Sequence, residues 1–127
     1  MESMVRNIIS NYNSYTSEML MYKQWVKNNS NPQNQSRLAI LEQKVAIIDA
    51  WLNLLNHDEA FVIREHLINQ LEWPRVAFKY RERWKNEFYR TERCLQMYQA
   101  NAIAKIADFA QKHYAIMLAL FSDDISA

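Results

Sequence analysis

The chain has 127 residues, of which 50% are hydrophobic and 13% aromatic, and its formal net charge is +1. This hydrophobic content excludes a disordered chain, and the near-zero charge gives no overall electrostatic argument for a polyanionic partner. Glycine is absent and only two prolines occur. Because tight hairpin turns depend on glycine for positive φ, the composition predicts an all-α protein whose helices end on asparagines in the left-handed region.

The cellular location is predicted from the single cysteine and from the hydropathy. Cys94 alone excludes an internal disulfide and is typical of a reducing cytoplasm. The first residues lack the pattern of a secretory signal peptide, and the longest apolar run, Tyr114 to Phe121, is too short to span a bilayer. We therefore expect a soluble, cytoplasmic protein with no membrane partner.

Two helices with heptad spacing are predicted in the first half of the chain, over residues 4–27 and 37–55. They are separated by a polar linker, residues 28–35, and Ser36 is the predicted N-cap of the second helix. In both helices the apolar residues alternate gaps of three and four. The two sets are Val5, Ile8, Tyr12, Tyr15, Met19, Tyr22, Val26 and Leu38, Leu41, Val45, Ile48, Leu52, Leu55. They either close on each other as an antiparallel αα-hairpin, which we favour, or pair two chains into a homodimer.

Shorter helices are predicted after this hairpin. Asn56, with Glu59 three residues later, matches a capping box and predicts a helix over residues 57–68, which ends at Asn69-Gln70. Pro74 suits the first turn of the next helix. The inner side of that helix is predicted to hold Val76, Ala77 and Tyr80.

The last predicted helix begins after a connection at residues 85–87 and a cap at Thr91. Its predicted buried face comprises Leu95, Tyr98, Ala102, Ile106 and Phe109. No helix-breaking residue occurs before Ser122, so the helix either continues to that point or breaks near residues 112–113.

The charges are distributed unevenly along the chain. Residues 75–106 hold eight basic and three acidic residues, a local charge of +5, whereas residues 1–74 and 107–127 each have a local charge of −2. The basic block therefore coincides with the last two predicted helix starts.

A family resemblance covers residues 55–106. The matching elements are Leu55-x-x-Asp58-Glu59-x-x-Val62-Ile63, Leu67-Ile68, Leu71-x-Trp73-x-x-Val76, Tyr80, Thr91-Glu92-Arg93-x-Leu95-x-x-Tyr98-Gln99 and Ala102-Ile103-x-Lys105-Ile106. This segment resembles region four of primary-type sigma factors, in the version found in phage-encoded transcriptional regulators of the ArpU type. The chain departs from that pattern at Asn69-Gln70, where many such motifs have glycine, and in a longer turn before Thr91. The resemblance implies a helix-turn-helix that binds duplex DNA in transcriptional control.

The residues of this segment suit contact with DNA. A helix N-terminus at Thr91 offers backbone N–H groups to a phosphate, and nearby cations can hold the flanking backbone. The predicted phosphate contacts are Arg75, Lys79, Arg83, Lys85 and Arg90. The predicted base contacts on the outer face of the helix are Arg93, Gln96, Met97 and Asn101. Arginine can bind guanine, glutamine and asparagine can bind adenine, and methionine can contact a thymine methyl.

Catalytic chemistry has little support in the sequence. His57, His66 and His113 are scattered without further ligands at metal-binding spacing, and no histidine is placed to activate Cys94. A chain without glycine has no phosphate-binding glycine loop. We therefore predict neither an enzyme nor a cofactor nor a metal site.

Together these patterns predict an interaction or dimerisation hairpin over residues 1–56. A helix-turn-helix with a long C-terminal helix is predicted over residues 57–127, in one compact unit. The hairpin would form a homodimer through its heptad helices or engage RNA polymerase. The alternative function is a protein-interaction module, an inhibitor or adaptor, built on a helix-turn-helix scaffold without DNA contact. Cys94, Met97 and the small net charge favour that alternative.

Overall fold

The computed structural model describes residues 1–84 and 90–125, and all regular structure within them is helical, which confirms the all-α prediction. The helices of this described part are α1 (Glu2–Ser10), α2 (Tyr12–Asn28), α3 (Pro32–Leu52), α4 (His57–Val62), α5 (Trp73–Arg83), α6 (Glu92–Lys112) and α7 (Tyr114–Ile125). A π-helical segment, Ile63–Ile68, continues α4. None of these helices is both long and apolar enough to cross a membrane.

The first predicted helix, over residues 4–27, is divided at Asn11. The Asn11 amide donates to the carbonyl oxygen of Asn7 at 2.9 Å, and the Ser10 hydroxyl donates to that of Arg6 at 2.7 Å. Such side-chain bonds to the preceding turn compete with the helical ladder and bend helices. The prediction of one continuous helix is therefore wrong, and the break lets α1 pack separately from α2.

Helix α3 begins earlier than predicted, inside the polar linker. The Asn31 side chain accepts a hydrogen bond from the Asn34 backbone N–H at 2.8 Å and so caps the helix. Pro32 follows in the first turn, where its missing N–H leaves no bond unmade. The prediction of Ser36 as the cap is wrong, because the asparagine and proline before it already start the helix.

Helices α2 and α3 pack against each other and run antiparallel. The Tyr12 hydroxyl donates to Asp49 Oδ1 at 2.8 Å, and Arg37 forms an ion pair with Glu18 at 3.0 Å, so early residues of one helix meet late residues of the other. The heptad residues that are buried in this packing or in the core beside it are Val5, Ile8, Tyr15, Leu41, Val45, Ile48 and Leu52. Seven of the thirteen heptad positions are therefore buried within the chain.

The capping box at the start of α4 is confirmed. The Asn56 side chain accepts from the Glu59 backbone N–H at 2.8 Å, and the Glu59 carboxylate accepts from the Asn56 N–H at 3.1 Å. These two bonds satisfy two donors that the helix start would otherwise leave unpaired.

Gln70, the second residue after the π-helical segment, is left-handed with φ 57°, and no other residue of the described part has positive φ. The asparagines at helix ends, Asn11, Asn29, Asn53 and Asn69, all have negative φ. The prediction that asparagines take the left-handed conformation there is therefore wrong. A left-handed residue with a Cβ costs about 1–2 kcal/mol, and Gln70 bears that cost in a chain that contains no glycine.

Helices α5 and α6 begin as predicted. Pro74 lies in the first turn of α5, and the Thr91 hydroxyl accepts from the Cys94 backbone N–H at 3.1 Å, capping α6. The predicted inner residues Val76, Ala77 and Tyr80 of α5 are buried, as are Leu95, Ala102 and Ile106 of α6. Phe109 is 39% exposed, which corrects its assignment to the core. Ala107 and Ala110 are buried instead, because the helix turns its small residues inward at that end.

The C-terminal region does not form one continuous helix up to Ser122. It breaks near residue 113, which is the second of the two alternatives that the sequence left open. Helix α6 ends at Lys112, and α7 begins at Tyr114. The break lets Met117 and Phe121 enter the core, where the Phe121 ring stacks on Trp51.

The core consists of two clusters. The larger one draws residues from α1, α2, α3, α6, α7 and the π-helical segment, on both sides of the predicted boundary at residue 56. The smaller one joins α4, α5 and the first turns of α6 through Val62, Val76, Ala77, Tyr80 and Leu95. Helix α6 therefore has one end in each cluster.

Candidate nucleic-acid interface

The predicted base contacts lie on one solvent-exposed face at the N-terminal half of α6. Arg93, Gln96, Met97 and Asn101 are all exposed, whereas Leu95 on the opposite face is fully buried. This division follows from the helical period, because residues three and four apart share a face. The side chains that could read bases are thus presented together.

An open depression of about 530 Å³ lies at this end of α6. It is lined by Thr91, Arg93, Cys94, Gln96 and Met97. The helix N-terminus, a guanidinium, a carboxamide and a thioether therefore surround one concave surface. Their donors suit phosphate and base edges, and the thioether suits a methyl group.

A second depression, of about 320 Å³, separates α5 from the start of α6. Arg81, Arg90 and the acidic Glu92 line it together with Thr91, which also lines the first depression. Arg81 is not among the contacts predicted from the sequence. The signal for it was available: Arg81 lies four residues after the buried Ala77, on the side of α5 that faces α6.

Arg90 is oriented by an aromatic hydroxyl. Its Nε donates to the Tyr98 hydroxyl oxygen at 2.8 Å, across two turns of the chain at the start of α6. Because this hydroxyl accepts the hydrogen bond, the pKa of Arg90 lies above its ordinary value. Arg90 therefore stays a cation beside the helix N-terminus.

Of the other predicted phosphate contacts, Arg75, Lys79 and Arg83 line neither depression. Lys79 forms an ion pair with Glu65 at 3.1 Å, so a carboxylate already opposes part of its charge. Arg75 lies over the Phe78 ring and Arg83 over the Trp84 ring, each at 5.4 Å. Both arginines are exposed on α5. The predicted cations are thus distributed over more than one surface.

Lys85 falls outside the described residues. The same holds for the predicted connection at residues 85–87 and for the aromatic residues Phe88 and Tyr89.

Helix α6 is held in place by polar contacts to α4 and to the π-helical segment. Glu59, which is buried, accepts from Lys105 Nζ at 2.7 Å and so joins the start of α4 to the middle of α6. His66 Nδ1 lies 2.7 Å from Oε1 of the buried Gln99, and its ring stacks on Trp73 at 3.8 Å between centroids. These contacts orient α6 relative to α4 and α5 and leave its outer face uncovered.

No group of three or more histidine, cysteine or acidic side chains in residues 1–84 and 90–125 could hold a metal ion. Comparisons with protein-family models, with curated proteins and with solved structures find no significant match for the chain. The chemistry of the surface described above therefore carries the functional argument.

Proposed function

We propose that the protein is a DNA-binding transcriptional regulator, encoded by a phage or prophage, that contacts duplex DNA through the N-terminal half of α6. One observation carries the proposal. Thr91, Arg93, Gln96 and Met97 surround a single open depression at the capped start of a 21-residue helix. The major groove of DNA is wide enough to admit an α-helix presented in this way.

The two depressions would have different roles, one in contacting phosphates and the other in contacting bases. Arg81, Arg90 and the backbone N–H groups after Thr91 would hold phosphates, which position the protein without specifying sequence. Arg93 would bind guanine, and Gln96 would bind adenine. Met97 and Asn101, farther along the same face, would contact a thymine methyl and a second adenine.

The packing of α4, α5 and α6 around the smaller cluster supports a helix-turn-helix reading of residues 57–112. In that reading α6 is the recognition helix, as the resemblance to sigma region four implies. The exposed residues Leu20, Met21 and Trp25 of α2 offer a surface through which the α2–α3 pair would engage RNA polymerase.

The first test is DNA retention as a function of salt. Selection from random duplexes at low salt should enrich specific sites, and affinity should fall steeply as salt rises because phosphate contacts release counterions. Arg93→Ala should cost about 1–3 kcal/mol at one base pair and relax preference there. Arg81→Ala should weaken all duplexes alike and reduce the salt slope by about one.

Lys27→Ala, an exposed cation at the end of α2, is the matched control and should leave binding unchanged. Failure to retain any duplex at low salt would overturn the proposal.

A second candidate function, a protein-interaction module without DNA contact, is favoured by one feature of the same surface. Met97 is 55% exposed beside the partly exposed Cys94, and exposed methionines suit adaptable protein contacts. This candidate predicts no retained DNA, and a partner whose binding changes little with salt and is lost in Met97→Lys.

A further inference from the structure

The bend between α6 and α7 occurs in a stretch whose residues favour a continuous helix. Residues 109–116 read Phe-Ala-Gln-Lys-His-Tyr-Ala-Ile and contain neither glycine nor proline. Alanine, glutamine and lysine are among the best helix formers, so the local preference of this stretch is to continue α6. The bend is therefore imposed by the packing of α7 and not by the residues that form it.

The bend interrupts the backbone hydrogen bonds of the helix. His113 has φ −121° and ψ 33°, and its N–H donates to the Ala110 oxygen at 3.0 Å, three residues back instead of four. The four-residue pattern resumes where the Met117 N–H donates to the His113 oxygen at 3.2 Å. A helix continued through this point would also pair the N–H groups of residues 114–116 with the carbonyl oxygens of residues 110–112. Straightening the junction therefore gains backbone bonds.

The docked position of α7 depends on a small contact area. Met117 and Phe121 are buried, and the backbone at Phe121 departs from helical geometry, with φ −110° and ψ 16°, where its ring stacks on Trp51. The third contact is the ion pair of Asp124 with the buried Lys44 at 2.7 Å. Both ions give up water to form this pair and regain it when α7 leaves, so the intact pair contributes little to the balance. Docking therefore depends chiefly on Met117 and Phe121.

Much of the apolar surface of α7 gains nothing from docking. Ile116 is 60% exposed, Leu118 is 42% exposed and Tyr114 is 41% exposed in the docked position. These side chains meet water whether α7 is docked or extends from α6. The two arrangements thus differ mainly by the burial of Met117 and Phe121 on one side and by the backbone bonds of the junction on the other.

We infer that α7 is a detachable strap, which either docks against the core as seen here or swings out to continue α6 as one helix through His113. The docked form is the ground state, because it alone closes the core over Trp51. In the released form the helix from Glu92 to Leu120 would be about 40 Å long, at 1.5 Å per residue. Release would uncover the Trp51 ring and the Lys44 ammonium. The inference stands independently of whether the N-terminus of α6 binds DNA.

The first test measures how often a buried position of α7 meets solvent. A Cys94→Ser background removes the single native thiol, and Met117→Cys or Ile103→Cys then places one thiol at a buried position of α7 or α6. An aromatic disulfide in excess labels such a thiol only when the surrounding structure opens. Met117→Cys should be labelled faster than Ile103→Cys. Its rate should rise less steeply with urea, because release of α7 exposes less surface than global unfolding does.

Ala115→Pro tests whether the released helix continues α6. Ala115 is exposed and is the second residue of α7, the position that Pro74 occupies in α5, so the docked form accommodates proline there. In the continuous helix the same proline would remove the bond to the Gln111 oxygen and clash with it. Ala115→Pro should slow the labelling of Met117→Cys by up to about a hundredfold and leave Ile103→Cys unchanged. Equal labelling of the two positions without the proline, or labelling of Met117→Cys that the proline does not slow, would overturn the inference.

A second measurement does not depend on the proline. Spin labels at Ile40→Cys and Ala119→Cys, again with Cys94→Ser, lie on one depression between α3 and α7 when α7 is docked. Phe121→Ala removes the ring that holds α7 and should add a second, longer and equally narrow distance in double electron–electron resonance. Phe78→Ala, at an exposed phenylalanine of α5, is the matched control and should keep the short distance alone. The short distance alone in Phe121→Ala, or a broad distribution without a narrow longer distance, would contradict the inference.

Discussion

Two buried tyrosines differ in whether their hydroxyl groups have a hydrogen-bond partner, and this difference determines how each hydroxyl affects stability. The Tyr80 hydroxyl donates to Asp58 Oδ1 at 2.9 Å, whereas the Tyr15 hydroxyl has no hydrogen-bond partner among the described residues. In both, burial is the main cause that raises the pKa of the phenol above its ordinary value, and a nearby carboxylate, Asp58 or Asp124, adds to it.

We expect opposite effects when the two hydroxyls are removed. Tyr80→Phe should lower the free energy of unfolding by about 1.5–3 kcal/mol, because a hydrogen bond to a charged group is lost. Tyr15→Phe should raise it by up to about 1 kcal/mol, because an unpaired buried hydroxyl is removed. Urea unfolding followed by circular dichroism measures both. Equal destabilisation by the two substitutions would contradict the assigned contacts.

The same phenols predict how stability changes in alkali. Above pH 10 the tyrosines of the unfolded chain lose their protons, while the raised pKa keeps Tyr15 and Tyr80 protonated in the folded state. The folded state then binds more protons, so its stability falls as pH rises from 10 toward the folded pKa. The fall should be shallower in Tyr80→Phe than in wild type when unfolding free energies are measured between pH 8 and 11. An equally steep fall of the unfolding free energy with pH in Tyr80→Phe would contradict this prediction.

At the scale of single helices, the starts of α4, α5 and α6 were predictable, whereas the start of α3 and the break at Asn11 were not. Asn56, Pro74 and Thr91 act locally, since a cap needs only its own residue and the next turn. Local side-chain bonds bend the chain at Asn11, but this break, like the one after Lys112, also depends on where α1 and α7 find a core to bury their apolar residues. Such distant partners are absent from a local pattern.

The capping box of α4 can be tested directly. Asn56→Ala removes the acceptor for Glu59 N–H and should destabilise the protein by about 1 kcal/mol. Asn53→Ala, at an exposed asparagine whose side chain makes none of the capping bonds, should stay within about 0.5 kcal/mol of wild type. Thermal unfolding of the two variants side by side makes the comparison. An equal shift for both would contradict the role of the cap.

At the scale of the whole molecule, the C-terminal helix is held by an ion pair inside the core. Lys44 is only 2% exposed; its ammonium contacts Asp124 at 2.7 Å and lies 5.1 Å from the centre of the Tyr15 ring. Asn7 also donates to the backbone oxygen of Asp124 at 3.1 Å. These contacts tie the end of α7 to α1 and α3.

Asp124→Ala should therefore be the most damaging of the substitutions proposed for stability. It leaves a buried ammonium without its carboxylate, which typically costs about 3–5 kcal/mol. Asp123→Ala, at the exposed neighbouring carboxylate, is the control and should change the unfolding free energy little. Adding Lys44→Met to Asp124→Ala should restore much of the loss, because the unpaired charge is then gone. The midpoints of urea unfolding measure these differences. A double variant no more stable than Asp124→Ala would contradict the assignment of the loss to an unpaired Lys44 ammonium.

The sequence by itself determined the helical class, the caps at Asn56 and Thr91, and the exposed face of Arg93, Gln96 and Met97. Composition, helical period and capping chemistry act within a few residues, so a linear reading captures them. The tertiary structure alone decided that Arg81 joins Arg90 beside α6, that Glu65 pairs with Lys79, and which seven of the thirteen heptad positions are buried. It also decided that an apolar face of α7 stays uncovered. These outcomes depend on which helices meet, which is set by contacts between residues far apart in the chain.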